Sequence, residues 1–370
     1  MTDLDTLMDN ILNSSLLPSL SRSPQCPFYK RTDPFYEEKS VGRYLDFVES
    51  KNIRDNFKEN KYVPAILSSL IGYHNLTSSQ LGAIAGRDPA DSWGTRYLKS
   101  LFDSGFILRG RNQYKEEGGS FPHIWALPGK NKNKRLLKYL DNLSPEKWVS
   151  ITGGVPTLGH GSHVRHNVLG AELALRGFEV LEGLQAIFPE SLSAISKLLP
   201  GVNRLTKADV TFVRKDGLRI ALEITQASSH IEIASKFERW ISTLENKSIN
   251  ETGLVVCFVN ASMSAPKKYA SLLRSTYKKT IFNLDKRTPS QAKALANAIY
   301  LTDWSSWFPS KNAIDKSFAN LLSYQYDPDF DWFPVPLLGG VSFSPQEPSI
   351  WQLPGKVVTD LACTPQWADF

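Results

Sequence analysis

Cysteine and long apolar runs are scarce in this chain, and both absences exclude whole classes of protein. Its three cysteines, Cys26, Cys257 and Cys363, are too dispersed for a disulfide framework or a cysteine-rich zinc site. No apolar stretch approaches the roughly 18 residues that a membrane span requires. The N-terminal segment MTDLDTLMDN carries acids where a secretory signal peptide carries lysines. We therefore expect a protein of the reducing cytoplasm.

A strong charge of either sign is also missing. Lys and Arg number 43 against 37 Asp and Glu, which gives a net charge of +6 and a pI of about 9.0. This mild basic balance favours nucleic acid as a partner, although many soluble proteins share it. A length of 370 residues exceeds one compact core, so the chain is expected to form two or three domains.

The most informative segment is residues 207–225, KADVTFVRKDGLRIALEIT, which alternates with a period of two on both sides of a turn. A three-residue loop, Lys215–Gly217, places Gly217 in the left-handed conformation that glycine adopts at low cost. Counting back from that loop pairs Asp209 with Glu223 on one face. A two-residue loop would shift the register and separate the two acids. Paired carboxylates suit a divalent cation, but they also suit the solvated face of an exposed hairpin.

The elements around this hairpin are predicted to follow the order αβββαβ. A first helix ends at Gly177, and Pro266 opens a helix after the core. The predicted helices are 163–176, 230–245, 266–279 and 289–300, and the predicted strands beside the hairpin are 178–182, 253–259 and 281–284. This order, with an acid opening the second strand and another late in the third, resembles the restriction-endonuclease-like PD-(D/E)xK fold over residues 159–303. The resemblance implies an α/β fold class, with a mixed sheet and a nuclease-like core.

The resemblance also implies a set of site residues. Asp209 matches the first acid of the motif, Glu223 matches the acid of (D/E)xK, and Glu172 matches an acid that many members carry on the first helix. In such enzymes these carboxylates hold Mg²⁺ or Mn²⁺, which orients a water, lowers its pKa and offsets charge on the phosphate.

The sequence departs from the motif at two positions. Thr225 stands where the family has its lysine, and Ala208 stands where it has a proline. Lys236, on the following helix, is the predicted substitute, because the lysine migrates to that helix in some members. The alternatives are that Lys236 is an ordinary surface lysine, or that Gln226 takes the place if the strand bends.

Residues 61–130 show a second pattern, three helices followed by a hairpin. The predicted helices are 62–73, 78–85 with Thr77 as its N-cap, and 91–104, and the predicted strands are 106–108 and 123–127. This plan and the phrase LKSLFDSGFI (98–107) resemble a winged helix-turn-helix, a mainly α domain. The resemblance implies DNA contacts from the third helix and the wing. The residues concerned are Ser92, Trp93, Thr95, Arg96, Lys99, Arg109, Arg111 and Lys115. The alternative is a winged helix that docks protein.

We expect five regions along the chain. These are an N-terminal arm and helix (1–60), the winged helix-turn-helix (61–130), a basic linker (131–158), the nuclease-like domain (159–303) and an aromatic, proline-rich C-terminal extension (304–370). The extension is expected to wrap the nuclease-like domain or to dock a protein partner; a homodimer is a further alternative. The layout, His166 before an apolar helix and the string D…LEIT…K also resemble the replication-relaxation family of mobile-element DNA proteins.

The sequence therefore favours a DNA-binding protein with a metal-dependent, endonuclease-like domain, in a mobile-element or defence system. The first alternative is a catalytically inactive regulator or assembly subunit that keeps the nuclease fold and binds DNA. A second alternative makes both domains protein-docking modules without DNA.

Overall fold

The computed structural model describes residues 16–17, 35–37, 62–78, 80–81, 98–99, 101–102, 106–111, 123–128, 164–190, 207–226, 229–262, 265–309 and 314–351. The chain divides into two compact units. The large-sheet unit comprises residues 1–28, 176–187 and 193–354, and the small-sheet unit comprises residues 29–175, 188–192 and 355–370. Among the described residues, no helix has both the length and the apolar character needed to cross a bilayer.

The strands and helices are numbered in chain order. The strands are β1 (Leu16–Leu17), β2 (Phe35–Glu37), β3 (Asn75–Thr77), β4 (Leu108–Arg111), β5 (His123–Ala126), β6 (Leu184–Pro189), β7 (Val210–Arg214), β8 (Arg219–Thr225), β9 (Leu254–Asn260), β10 (Ile299–Asp303), β11 (Ile314–Asp315), β12 (Leu322–Asp327) and β13 (Asp331–Pro336). The helices are α1 (Tyr62–Tyr73), α2 (Val164–Val180), α3 (His230–Leu244), α4 (Ile249–Thr252), α5 (Pro266–Ile281), α6 (Pro289–Ala298), α7 (Trp304–Trp307), α8 (Lys316–Ala319) and α9 (Pro348–Trp351).

A seven-stranded mixed sheet forms the centre of the large-sheet unit, in the order β13-β12-β10-β9-β8-β7-β6. Strands β8, β9 and β10 are parallel, whereas β7–β8, β10–β12 and β12–β13 are antiparallel. Every residue of β8 and β9 is buried, which explains the nearly continuous apolar sequence LVVCFVN of β9. The predicted α/β class is confirmed.

Helix α3 covers one face of the parallel strands. It begins after Ser229, whose side chain accepts a hydrogen bond from the Glu232 amide as an N-cap. Apolar side chains at helical spacing form a buried stripe on this helix, and the Phe237 ring lies 4.3 Å from that of Phe258 on β9. The stripe consists of Ile233, Phe237, Trp240, Ile241 and Leu244. Because Phe258 pairs in register with Glu223, this face of β8 carries Glu223 toward α3.

The hairpin β7–β8 has the predicted three-residue loop. The Arg214 amide donates to the Leu218 carbonyl at 2.9 Å, and Gly217 adopts a φ of +93°. The ladder pairs Val210 with Leu222 and ends there. The register that follows from the loop is therefore confirmed, and Asp209 lies just beyond its last pair.

The strand predicted at 178–182 is wrong. Helix α2 continues through Gly177 to Val180, and the strand is β6, which follows the turn at Gly183. Gly177 packs closely against the Phe212 ring, because a Cβ at this position would lie only 2.8 Å from it. The Arg176–Glu179 ion pair, at 2.6 Å, spans one turn of the helix across that glycine.

The strand predicted at 281–284 is also wrong. Helix α5 extends to Ile281 and a turn follows, in which Leu284 is 68% exposed. The strand of this region is β10, which begins at Ile299, inside the predicted helix 289–300. The sequence IYLTD has β-branched and aromatic residues that pack well between β9 and β12.

The small-sheet unit contains α1 and a four-stranded sheet in the order β2-β4-β5-β3. Thr77 is an N-cap as predicted: its Oγ1 accepts from the Gln80 amide at 3.1 Å, and the Gln80 side chain accepts from the Thr77 amide at 3.0 Å. Strands β4 and β5 form the predicted hairpin, but β4 begins at Leu108, where the predicted strand 106–108 ends. The sequence did not indicate β2 and β3, which are only three residues long.

The C-terminal region continues the large sheet and then folds back. Strands β12 and β13 hydrogen-bond onto β10, so the boundary predicted at 303 falls between strands of one sheet. Helix α9 then brings Trp351 against Gly217 and Gly253, beside the start of β8. The guanidinium of buried Arg219 donates to the Trp351 carbonyl at 2.7 Å and lies 5.3 Å from its ring, and burial lowers the pKa of Arg219 to about 10.

We expect Gly253→Ala to lower the free energy of unfolding by about 2–4 kcal/mol. Gly253 has a φ of +55°, where a side chain costs ~1–2 kcal/mol, and its Cβ would overlap the Trp351 ring. Chemical denaturation measures the change. Gly183→Ala is the matched control, because Gly183 has a φ of +80° but open space around it. Equal losses in the two variants would mean that the Trp351 contact is unimportant.

Candidate functional site: a carboxylate–ammonium cluster at the end of β8

Glu223 lies near the end of β8, and its carboxylate is almost fully buried beneath α3. One oxygen, Oε1, lies 2.7 Å from the Lys236 ammonium. The other, Oε2, lies 2.6 Å from the Arg239 guanidinium and accepts from the Trp240 indole at 3.2 Å. A buried carboxylate is costly without such partners, and two cations and one indole N–H supply them.

Lys236 reaches this carboxylate from α3, as the sequence predicts. Its ammonium also donates to the Ile224 carbonyl at 3.0 Å. The ammonium therefore lies between a carboxylate oxygen and a carbonyl oxygen from consecutive residues of β8. Thr225 is buried at the last position of this strand.

Asp209 is bound to the same stretch of backbone. Its carboxylate Oδ2 accepts from the Ile224 amide at 2.6 Å, and its own amide donates to the Leu222 carbonyl at 3.0 Å. The Ile224 peptide groups thus link Asp209, through the amide, to Lys236, through the carbonyl. The β7–β8 ladder ends at Val210. Beyond that point the Asp209 carboxylate, instead of a backbone carbonyl of β7, accepts the hydrogen bond from the Ile224 amide of β8.

Glu172 lies on α2 in the small-sheet unit and is fully buried. Its Oε2 accepts from the Gln80 side-chain amide at 3.0 Å, and the same amide donates to the Val168 carbonyl at 2.9 Å. These contacts attach α2 to the segment that Thr77 caps. A metal-ligand role for Glu172 stays a prediction.

Only some of the residues predicted to contact DNA lie in the part of the chain that the structure describes. Lys99 is exposed, and the Arg109 guanidinium lies 4.7 Å above the Phe102 ring. Arg111 ends β4, opposite His123. The remaining predicted residues, Ser92, Trp93, Thr95, Arg96 and Lys115, lie outside the described part of the chain.

Two partners of Glu223 were missed by the sequence reasoning. Arg239 and Trp240 lie three and four positions after Lys236, so all three share one side of α3. This helical spacing could have indicated that Arg239 and Trp240 lie near the partner of Lys236. The sequence reasoning gave Trp240 only a place in the apolar stripe and gave Arg239 no role. Arg239 is 43% exposed, so its guanidinium joins the buried carboxylate to the surface.

The donor set is chemically suited to a hard divalent cation. Carboxylate and carbonyl oxygens are the ligands that Mg²⁺ and Mn²⁺ prefer, and Glu223 and Ile224 already direct one of each at a cationic centre. Within the described ranges, no group of three or more His, Cys, Asp or Glu side chains is placed to hold a metal. A cation would therefore rely on the backbone carbonyl and on two carboxylates.

Comparison of the chain with protein-family models, with curated proteins and with solved structures gives no match.

Proposed function

We propose that this protein binds DNA and hydrolyses its phosphodiester bonds at the cluster of Asp209, Glu223 and Lys236. The observation that carries the proposal is the 2.7 Å contact between the Lys236 ammonium and Glu223 Oε1. An acid on the hairpin and a lysine on the next helix are in contact, which supports Lys236 as the substitute for the lysine of the (D/E)xK motif.

The order of elements supports the same proposal. From α2 to β9 the chain runs helix, strand, strand, strand, helix, strand, and β8 and β9 are parallel. This is the order of the PD-(D/E)xK fold. In the small-sheet unit, α1, the helix start capped by Thr77 and the β4–β5 hairpin follow the plan of a winged helix-turn-helix.

The three side chains have separate roles in the proposed reaction. Asp209, Glu223 and the Ile224 carbonyl would hold Mg²⁺ or Mn²⁺, which lowers the pKa of a water and offsets charge on the phosphate when bound. The Lys236 side chain is 26% exposed and its ammonium donates hydrogen bonds, so it can orient a water or a phosphate oxygen. Arg239, nearer the surface, adds positive charge for the DNA backbone.

The test is nicking of supercoiled plasmid with Mg²⁺ or Mn²⁺. We expect Asp209→Asn to lower the rate by about 10²–10³-fold, as the loss of one group that stabilises charge does elsewhere. The matched control is Asp285→Asn, which neutralises an exposed acid in the turn after α5. Equal nicking by wild type and Asp209→Asn would reject the assignment.

A second candidate is a DNA-binding protein without catalysis. The observation that favours it is that both oxygens of Glu223 already have cationic partners, Lys236 and Arg239. In this case the ammonium replaces the metal permanently. Calorimetric titration with Mn²⁺ separates the candidates, since binding by wild type that is lost in Glu223→Gln would exclude the second.

A further inference from the structure

A groove lies between α5 and the β12–β13 hairpin in the large-sheet unit. Its volume is about 670 Å³, within the range of ligand-binding sites. The charged and aromatic residues that line it are Lys267, Arg274, Lys278, Asp303, Asp331 and Trp332. Three serines, at 271, 275 and 305, add hydroxyl groups to the wall.

The basic residues of the groove form one stripe along α5. Lys267, Arg274 and Lys278 are spaced by seven and four residues, which places them on the same side of the helix. The helix PKKYASLLRSTYKKTI contains five basic residues and no acid. The groove wall on this side is therefore positively charged along its length.

Aromatic rings of β12 and β13 lie beside two of these basic side chains. The Arg274 guanidinium lies 5.7 Å from the Tyr324 ring and 5.6 Å from the Trp332 ring, and the Lys278 ammonium lies 4.3 Å from the Tyr326 ring. Trp332 is half-buried and lines the groove itself. Cations beside aromatic faces suit a ligand that offers phosphates together with flat bases.

The two acids of the groove are already engaged. Asp331 Oδ1 accepts from the Lys278 ammonium at 2.9 Å, and this bond is the largest cause of the raised pKa of Lys278. Asp303 Oδ1 accepts from the side-chain amide of Asn260 at 2.7 Å. Lys267 and Arg274 have no salt bridge to an acid among the described residues. With Lys278 balanced by Asp331, these two cations outweigh the single charge of Asp303, and the groove is net positive.

The groove and the carboxylate cluster share one edge of the sheet. Thr225 at the end of β8, Asn260 at the end of β9 and Asp303 at the end of β10 pair in register, one beside the next. Two strand spacings, roughly 10 Å, therefore separate the end of β8 from the groove. Thr225 is two residues after Glu223 on β8, so the two side chains point to the same face of the sheet. Thr225, Asn260 and Asp303 therefore lie on the face that α3 covers. From the groove, the strand ends follow in the order Asp303, Asn260 and Thr225, and Thr225 is one residue after Ile224, whose carbonyl binds Lys236.

We propose that the α5 groove binds one strand of nucleic acid and leads it to the Asp209–Glu223–Lys236 cluster. Lys267 and Arg274 contact phosphates, and the Trp332 ring stacks on a base. The proposal rests on the proposed function for its second half only, since strand binding by the groove does not require cleavage.

The test compares two matched double variants of the full chain. Lys267→Gln/Arg274→Gln removes two charges that face the groove, whereas Lys268→Gln/Lys279→Gln removes two exposed charges of the same helix outside it. Binding of fluorescein-labelled oligothymidylate is measured by anisotropy in EDTA at several salt concentrations. We expect the groove variant to bind about tenfold more weakly. Its salt slope should fall by about 1.4, because each phosphate contact on a single strand contributes about 0.7.

The outcomes are distinguishable from those of the cleavage test. The binding measurement contains no metal, whereas nicking requires it, so failure of the cleavage test leaves the binding result standing. Equal weakening in both double variants would overturn the groove assignment, whatever the plasmid assay gives. Thymidine monophosphate that competes as well as the oligonucleotide would overturn the strand assignment. An abasic oligonucleotide that binds wild type as tightly as oligothymidylate would overturn stacking on Trp332.

Discussion

Lys236→Met is expected to change catalysis and metal binding in opposite directions. DNA nicking with Mn²⁺ should fall by about 10²–10⁴-fold, the usual contribution of a positioned proton-transfer or water-orienting group. Mn²⁺ should bind more tightly, because the ammonium that now lies 2.7 Å from Glu223 and 3.0 Å from the Ile224 carbonyl is gone. Relief of only ~1.4 kcal/mol of repulsion gives a tenfold gain in affinity.

Methionine keeps the length and apolar stem of lysine, so α3 should pack unchanged. Glu223 retains Arg239 and the Trp240 indole as partners, which prevents an unpaired buried charge. Lys247→Met is the control, because Lys247 is exposed in the turn after the same helix. Unchanged nicking in Lys236→Met would remove Lys236 from the reaction. Weaker Mn²⁺ binding would show that the ammonium does not compete with the metal.

Trp351→Ala is expected to lower the free energy of unfolding by about 3–5 kcal/mol, as truncation of a buried aromatic residue does. The ring is almost fully buried, lies 5.7 Å from the Phe343 ring, and covers Gly217, Gly253 and Arg219. Its removal exposes a buried guanidinium and two close-packed turns. Urea denaturation with circular dichroism measures the loss.

Ile350→Ala provides the comparison, because the neighbouring Ile350 is 46% exposed and should cost little. A double-mutant cycle sharpens the result. Gly253→Ala made in the Trp351→Ala background should cost only the ~1–2 kcal/mol of backbone strain, since the overlapping ring is absent. Additive losses would contradict the contact.

The sequence predicted those features that depend on neighbouring residues. The period of two, together with one glycine, determined the loop at Gly217 and the register of β7 with β8. The helical spacing of Phe237 and Trp240 indicates α3, and threonine, a residue type favoured at helix N-caps, predicted the cap at Thr77. Lys236 was expected near Glu223, and the two are in contact.

The sequence failed where distant contacts decide the local structure. Gly177 was predicted to end the helix, but α2 continues through it. Glycine is present because the Phe212 ring, 35 positions further along the sequence, packs where a side chain would lie. Strands β12 and β13 lack a clear period because their faces are only partly buried. The groove was missed because its basic residues belong to α5 and its ring to β13, and no local pattern relates them.

The outermost strand of the large sheet, β13, has the sequence DWFPVP. Pro334 and Pro336 pair with Tyr324 and Leu322 in the ladder, and neither proline has an amide hydrogen to offer another chain. A free sheet edge otherwise serves as a template for edge-to-edge aggregation, the first step toward fibrils. Replacing both prolines with valine would restore two donors, and we expect the protein to become more prone to self-association.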